Sequence, residues 1–208
     1  MKSFEIKNIN CHAALAMTEN TQSGRSMIEM LGVLAIIGVL SVGGIAGYSK
    51  AMQKYRINKT IEQITLIAGN VRTFFAPQRS YEGLDNRDVI KKAKLVPDEM
   101  WDGEFIKDVW GNNLSIMSGS SSSSFYINLV EISESDCIEL GTQDWTNLNL
   151  AGISLGEITT DKYYFKYDGI CSESTSTIFC AKDIPVAVDK VVTACSGGNK
   201  SLYFVFKK

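Results

Sequence analysis

The most constraining feature of this 208-residue chain is an uncharged stretch, residues 30–48, that directly follows Glu29. At about 1.5 Å of rise per residue, a helix of this length crosses the hydrocarbon core of a bilayer. A carboxylate at the mouth of such a helix costs roughly 2.5 kcal/mol or more unless a partner neutralises it. The pattern therefore predicts one membrane-spanning helix and makes Glu29 a candidate functional residue.

The residues just before this stretch indicate what could neutralise Glu29. Cleavage between Gly24 and Arg25 would leave a free α-amine on Arg25, and Glu29 would become the fifth residue of the shortened chain. A leader that ends in glycine, a glutamate at that spacing and an apolar helix resemble the class III signal of type IV pilins. The long leader and the run of residues 24–48 are most similar to the type IVb group, the conjugative or thin-pilus major subunits.

The resemblance implies an α+β fold in which a long N-terminal α-helix packs on a twisted antiparallel β-sheet. It implies a leader at residues 1–24, a long helix at residues 25–76 with residues 30–48 in the membrane, and a globular head at residues 77–208. It also implies cleavage by a prepilin peptidase, N-methylation of Arg25, and extraction by an assembly ATPase and platform protein into a filament of identical subunits. The precursor would then cross the inner membrane once, with its head in the periplasm, before it joins an extracellular pilus.

The cysteines indicate an oxidising compartment. Cleavage would remove Cys11 and leave Cys137, Cys171, Cys180 and Cys195, which allow three pairings that sequence cannot distinguish. A local bridge between Cys171 and Cys180 would leave a long-range link between Cys137 and Cys195. The alternatives are four free thiols or a zinc site, and the second lacks any C-x-x-C spacing. We expect two disulfides.

The charges around the apolar stretch favour the opposite topology. Only Arg25 is positive near its start, whereas four cations follow its end: Lys50, Lys54, Arg56 and Lys59. The positive-inside rule would place the C-terminal head in the cytoplasm. The cysteines and the pilin resemblance both place it on the other side, and we prefer that orientation.

Beyond the apolar stretch the helix is predicted to continue to about residue 76, before Pro77. Apolar residues recur at steps of three and four, and these form the expected buried stripe: Ile57, Ile61, Ile64, Ala68, Val71 and Phe75. Polar residues, Gln63 and Arg72 among them, are expected to lie elsewhere on the helix.

The head is predicted to alternate short helices and strands. The expected helices cover residues 87–95, 133–140 (capped by Ser133 or Ser135) and 185–195. The expected strands cover residues 125–132, 163–167, 177–180 and 201–206. The pilin resemblance implies that a Gly-containing turn near Gly111 leads into the first strand of the sheet. Residues 120–124 are expected to form a loop.

Catalysis is not expected. Gly152-Ile153-Ser154-Leu155-Gly156 matches the nucleophile pattern G-x-S-x-G, but the single histidine, His12, lies in the leader, so no Ser-His-Asp relay could form in the cleaved chain. No cofactor or metal ligand set is evident. A formal net charge of −2 gives no reason to expect nucleic-acid binding.

The sequence therefore predicts a structural filament subunit, most simply a major pilin. A minor pilin and a type II secretion pseudopilin share the leader and the long helix and remain alternatives. A signal-anchored periplasmic binding domain is the alternative from another class, and it predicts an uncleaved N-terminus.

Overall fold

A computed structural model describes residues 27–119, 123–156 and 176–208. Its longest element is helix α1, Met27–Phe75, with 49 residues. One continuous helix to about residue 76 was predicted, and α1 ends at Phe75, two residues before Pro77. The expected strand at residues 163–167, and residues 120–122 of the expected loop, lie outside the described residues.

The chain divides into two compact units inside α1, Met1–Tyr48 and Ser49–Lys208. In the first unit, every described side chain from residue 29 to residue 48 is exposed. The second unit contains the hydrophobic core. The boundary falls where the uncharged stretch ends, so one helix has an entirely exposed part and a part that belongs to a folded head.

In the second unit α1 buries a wider stripe than predicted. Five of the six predicted residues are buried, and Ile61 is partly buried against the core. Ile67 and Thr60 are buried as well. The Thr60 hydroxyl donates a hydrogen bond to Arg56 O at 2.9 Å, so it is buried with a partner. The placement of Gln63 outside the stripe was wrong, because it is only 8% exposed. The buried face of α1 is wider than the stripe of apolar residues and includes polar residues beside it. The spacing of apolar residues alone does not reveal these buried polar positions.

The head contains one six-stranded sheet, and every strand pairs antiparallel with its neighbours. The strands are β1 Ile106–Lys107, β2 Asn113–Ser118, β3 Ser124–Ile132, β4 Leu150–Leu155, β5 Ile178–Cys180 and β6 Lys200–Lys207. Their order across the sheet is β1-β2-β3-β6-β4-β5. The long helix and the antiparallel sheet confirm the α+β class.

The register of the strands aligns apolar residues on one face of the sheet. Phe125 of β3 pairs with Phe206 of β6, and Ile127 pairs with Phe204, which also pairs with Ile153 of β4. All five side chains are fully buried. The rings of Phe125 and Phe206 stack at 4.7 Å between centroids. Because alternate residues share a face, this register gives the head a continuous core.

Three short helices complete the head: α2 Arg87–Lys92, α3 Glu134–Gly141 and α4 Val188–Cys195. Single 3-10 turns lie at Asp98–Met100, Thr146–Leu148 and Ala181–Asp183. Ser133 caps α3, because its side chain accepts a hydrogen bond from Asp136 N. Of the two proposed caps, the structure uses Ser133.

Two predicted helix boundaries were wrong. Helix α2 ends at Lys92 instead of residue 95, because Lys94 has a left-handed backbone (φ 50°) that no α-helix can continue. Helix α4 begins at Val188 instead of Pro185. The buried side chains of Ile184 and Val186 alternate with exposed Pro185, a period of two that suits extended backbone.

Two strands were not expected. Strand β1 has only two residues and precedes the strand that was predicted to be the first in the sheet. Strand β4 was overlooked because Gly152 and Ser154 interrupt its apolar residues. Its six residues are all buried, so it occupies an interior position between β6 and β5.

Candidate functional site

The first candidate site is the exposed apolar part of α1. Eleven large apolar side chains between residues 30 and 48 are each more than half exposed, from 53% at Ile37 to 75% at Val39. This part of α1 is long and apolar enough to cross a membrane. Soluble monomers rarely expose continuous apolar surface on this scale, so such a helix needs lipid or other protein around it.

Glycines make this helix able to approach another helix closely. A Cβ added at any of the five glycines of residues 32–47 would meet no atom within 4 Å. Gly43 and Gly47 are four residues apart, the G-x-x-x-G spacing that allows close backbone contact between helices. The surface is thus suited to contact with lipid and to close contact with other helices.

Glu29 lies in the first turn of α1 as the structure describes it. A carboxylate there is favoured by the helix dipole, whose N-terminal end is positive. Gly24 and Arg25 lie outside the described residues, so their predicted relation to Glu29 stays a prediction.

Polar contacts fasten the second part of α1 to the head. Gln53 Nε2 donates to Asp136 Oδ1 at 3.1 Å, and Ser133 Oγ donates to Asp136 Oδ2 at 2.8 Å. Further along, Arg72 donates to Asn149 O at 3.0 Å. Asp136 is buried, and both of its carboxylate oxygens accept a hydrogen bond, which keeps the cost of burying the charge low. The first of these contacts lies only five residues beyond the uncharged stretch.

A disulfide joins the two helices α3 and α4. Cys137 and Cys195 are bonded, and both are fully buried. The sequence separation is 58 residues, and closing a loop of that size stabilises by about 4 kcal/mol in the chain-entropy model. Cys180 is also disulfide-bonded, whereas Cys171 lies outside the described residues. The structure therefore makes the long-range link between the outer cysteines, one of the three pairings left open.

Close packing reinforces the same region. A Cβ added at Gly141, the last residue of α3, would lie 2.7 Å from Val191 Cγ1 and 2.9 Å from Leu155 Cδ1. Only glycine lets α3 approach α4 and strand β4 this closely. The disulfide holds α3 against α4, and the close packing at Gly141 holds α3 against both α4 and β4.

Comparison with known proteins assigns this architecture to a family. The family model described as PilS N terminal matches residues 54–207, about three quarters of the chain. The chain belongs to the PilS family of type IVb pilins. No curated protein matches the sequence.

A solved structure shows the same fold. The type IV b pilin from Salmonella typhi aligns with a TM-score of 0.50 and 14% sequence identity. The alignment covers 73% of this chain and 99% of that chain. At this identity the likeness shows the fold alone, and it agrees with the long helix and sheet of this pilin.

The geometry of Ser154 agrees with a structural role. A nucleophile elbow needs its serine exposed on a sharp turn between a strand and a helix. In this pilin Ser154 is fully buried within β4, and its hydroxyl has no hydrogen-bond partner among the residues that the structure describes. No group of metal-ligating side chains occurs among the described residues. Membership of the pilin family, whose members are structural subunits and not enzymes, assigns the chain its structural role.

Sequence reasoning missed several residues that organise the head. Asp136 and Gln53 form their link across a separation of 83 residues. Trp145 is buried, donates from Nε1 to Leu140 O at 2.9 Å and packs edge-on against Phe204. The hydrogen bond of Trp145 joins residues only five apart, so its position just after α3 could have suggested it. The Gln53–Asp136 hydrogen bond joins distant parts of the chain, and no local sequence pattern predicts it.

Proposed function

We propose that this chain is the precursor of a pilus subunit that is cleaved after Gly24 and polymerised, most simply as the major pilin. The observation that supports it best is the single helix α1, wholly exposed and apolar over residues 30–48 and then continuous with a packed head. Such a subunit can be anchored by one end in a membrane and later bury the same surface among other subunits.

Processing is proposed to follow the pilin pattern. A prepilin peptidase would remove residues 1–24 on the cytoplasmic side of the inner membrane and methylate the new N-terminus at Arg25. Family membership supports this step, as do Gly24 before the bond and Glu29 five residues after it. The remaining chain would consist of the long helix at residues 25–76 and the head at residues 77–208.

Glu29 would direct assembly. Its carboxylate would lie at the membrane end of the apolar stretch, where it is costly to hold without a partner, and the α-amine of Arg25 on a neighbouring subunit would relieve that cost. The pairing would also set the axial register of the helices. An assembly ATPase and a platform protein would supply the work of extraction from the membrane.

The head would lie in the periplasm before assembly and outside the cell afterwards. The Cys137–Cys195 disulfide and the disulfide-bonded Cys180 support an oxidising compartment. The four cations that follow the apolar stretch favour the opposite side by the positive-inside rule, but two disulfide-bonded sites outweigh a charge count.

Processing can be tested by replacing Gly24 with Val in the full chain. The bulkier residue should block the peptidase, so immunoblots should show one unprocessed band and no surface filaments. Ser23→Val adds similar bulk one residue earlier and should still be cleaved. Normal processing of Gly24→Val would contradict the proposed cleavage site.

A further inference from the structure

An apolar groove lies on the head beside helix α2. Three apolar residues, Phe74, Val89 and Ala93, line it together with the polar residues Asn86, Asp88 and Lys92. Phe74 is 43% exposed, although its neighbour Phe75 is buried in the core. We call this surface the α2 groove. It offers apolar contact area next to an exposed cation.

Helix α4 presents a surface of matching character. Val188 is 62% exposed and Val192 is 42% exposed, one helical turn apart, and Asp189 lies beside them on the exposed side of the helix. We call these three residues the α4 ridge. Val191 and Cys195 on the same helix are buried, and Cys195 is disulfide-bonded to Cys137. These contacts anchor the helix that carries the α4 ridge.

The charges of the two surfaces are complementary. Lys92 borders the groove and Asp189 belongs to the ridge, and neither side chain forms an ion pair within the described parts of the chain. The adjacent charges, Asp88 at the groove and Lys190 after the ridge, are again of opposite sign. The lining of the groove includes no residue of α4.

We propose that the α4 ridge of one subunit docks in the α2 groove of a second copy of this chain. The inference rests on the proposed function and names the head surfaces that the filament would join. Since groove and ridge are different surfaces, each subunit uses one of them on each neighbour. Such a head-to-tail contact repeats into an open helical array, whereas a two-fold contact would stop at a dimer.

The contact explains two features that the fold of a single subunit leaves without a role. Docking would bury the exposed valines and Phe74, which removes apolar surface from water. It would place Asp189 against Lys92, and an opposite-charge pair at the rim fixes which surfaces meet more than it adds affinity.

Charge reversal in the full-length chain tests the contact. Lys92→Glu and Asp189→Lys should each reduce the yield of sheared surface filaments about tenfold, because each places like charges together. The double variant restores opposite charges and should recover most of the yield. Arg79→Glu, an exposed charge reversal that lines neither surface, should leave the yield unchanged.

The amount of disulfide-bonded subunit in the membrane fraction shows whether each variant folds. Wild-type filament yield from both single variants would overturn the proposal, and so would failure of the double variant to recover when its head is folded. A wild-type chain that forms no filaments would overturn the proposed function itself, and the docking contact with it. Filaments lost only in the single variants would support both.

Discussion

At the scale of single residues, Asp136 and Glu29 are two carboxylates in different environments, because Asp136 is buried in the head and Glu29 is exposed on α1. Asp136 accepts hydrogen bonds on both oxygens within its own head. Glu29 stands in the first turn of a helix whose following side chains are apolar and exposed. We expect its partner to come from another subunit, so filament assembly should depend strongly on Glu29.

Replacing Glu29 with Ala should therefore separate assembly from processing. The leader should still be removed, but filament yield should fall strongly because the Arg25 amine of the neighbouring subunit loses its partner. Immunoblots of membrane and sheared fractions measure both steps.

Glu62→Ala is a suitable control for Glu29→Ala. Glu62 lies on the same helix, and its exposed ion pair with Lys59, at 3.3 Å, contributes little. Normal filament yield from Glu29→Ala, or an equal loss from Glu62→Ala, would contradict the role assigned to Glu29.

Asp108 gives the head a pH dependence of unusual sign. It is 7% exposed, and its Oδ1 accepts hydrogen bonds from Trp110 N and Asn112 N, whereas its Oδ2 has no partner in the described parts of the chain. Burial raises the pKa of the Asp108 carboxyl above its ordinary value, against the opposing effect of these hydrogen bonds. An acid with a raised pKa favours the folded state when it is protonated, so its contribution is lost as pH rises through the folded pKa.

Asp108→Asn should remove this dependence, because the amide keeps an acceptor for both backbone groups and does not ionise. We expect the free energy of unfolding of the variant, relative to the wild type, to rise as pH increases from about 3 to 7. Urea unfolding across this range measures it.

Asp102→Asn should give the opposite slope. Backbone bonds from Phe105 and Glu104 lower the pKa of the Asp102 carboxyl, so its stabilising effect is present above the unfolded pKa and is lost at acid pH. A difference curve for Asp108→Asn that is flat, or that falls with pH, would contradict the burial effect.

The sequence predicts a residue's role only where residues at a fixed spacing form a recognisable motif. The roles assigned to Gly24, Arg25 and Glu29 rest on one linear motif and stay predictions. Burial of a single polar side chain has no such signal, so Asp108 and Ser154 could not be recognised. Their environments depend on the packing of the whole head.

At the scale of elements, α1 is a helix with two environments. Ile64 is fully buried in the head, whereas Leu66, two residues later, is 41% exposed. The difference follows from helix geometry, because residues two apart point in different directions.

Ile64→Ala should destabilise the head by about 2–5 kcal/mol through lost burial and the remaining cavity. Leu66→Ala on the same helix should change the free energy of unfolding by about 0.5 kcal/mol or less. Denaturant unfolding of the two variants compares them directly. Equal effects would mean that the buried stripe of α1 is misplaced.

Elements with a clear period were predictable, and interrupted ones were not. The long helix follows from the uncharged stretch and the three-four stripe that continues it, and β3 and β6 follow from runs rich in aromatic and β-branched residues. Strand β4 is broken by Gly152 and Ser154, and the start of α4 is concealed by Pro185, which is common at the beginning of helices. These failures have one cause, because local sequence does not show which segment the core will cover.

At the scale of the whole molecule, the chain combines a folded head with a helix whose apolar side chains over residues 30–48 are exposed. The family and the fold establish a type IVb pilin. The sequence predicted the fold class because the leader motif, the apolar stretch and the continuing helix are consecutive in the chain. Strand order was beyond it, because β6 lies between β3 and β4 through contacts distant in sequence.

The central claim is that this chain is cleaved, exported and polymerised, and the intact mass of protein sheared from the cell surface tests it most directly. The account predicts a mass that begins at Arg25 and increases by about 4 Da on reduction, two hydrogens for each of two disulfides. A full-length mass found only in the membrane fraction would contradict the account and favour a signal-anchored protein instead.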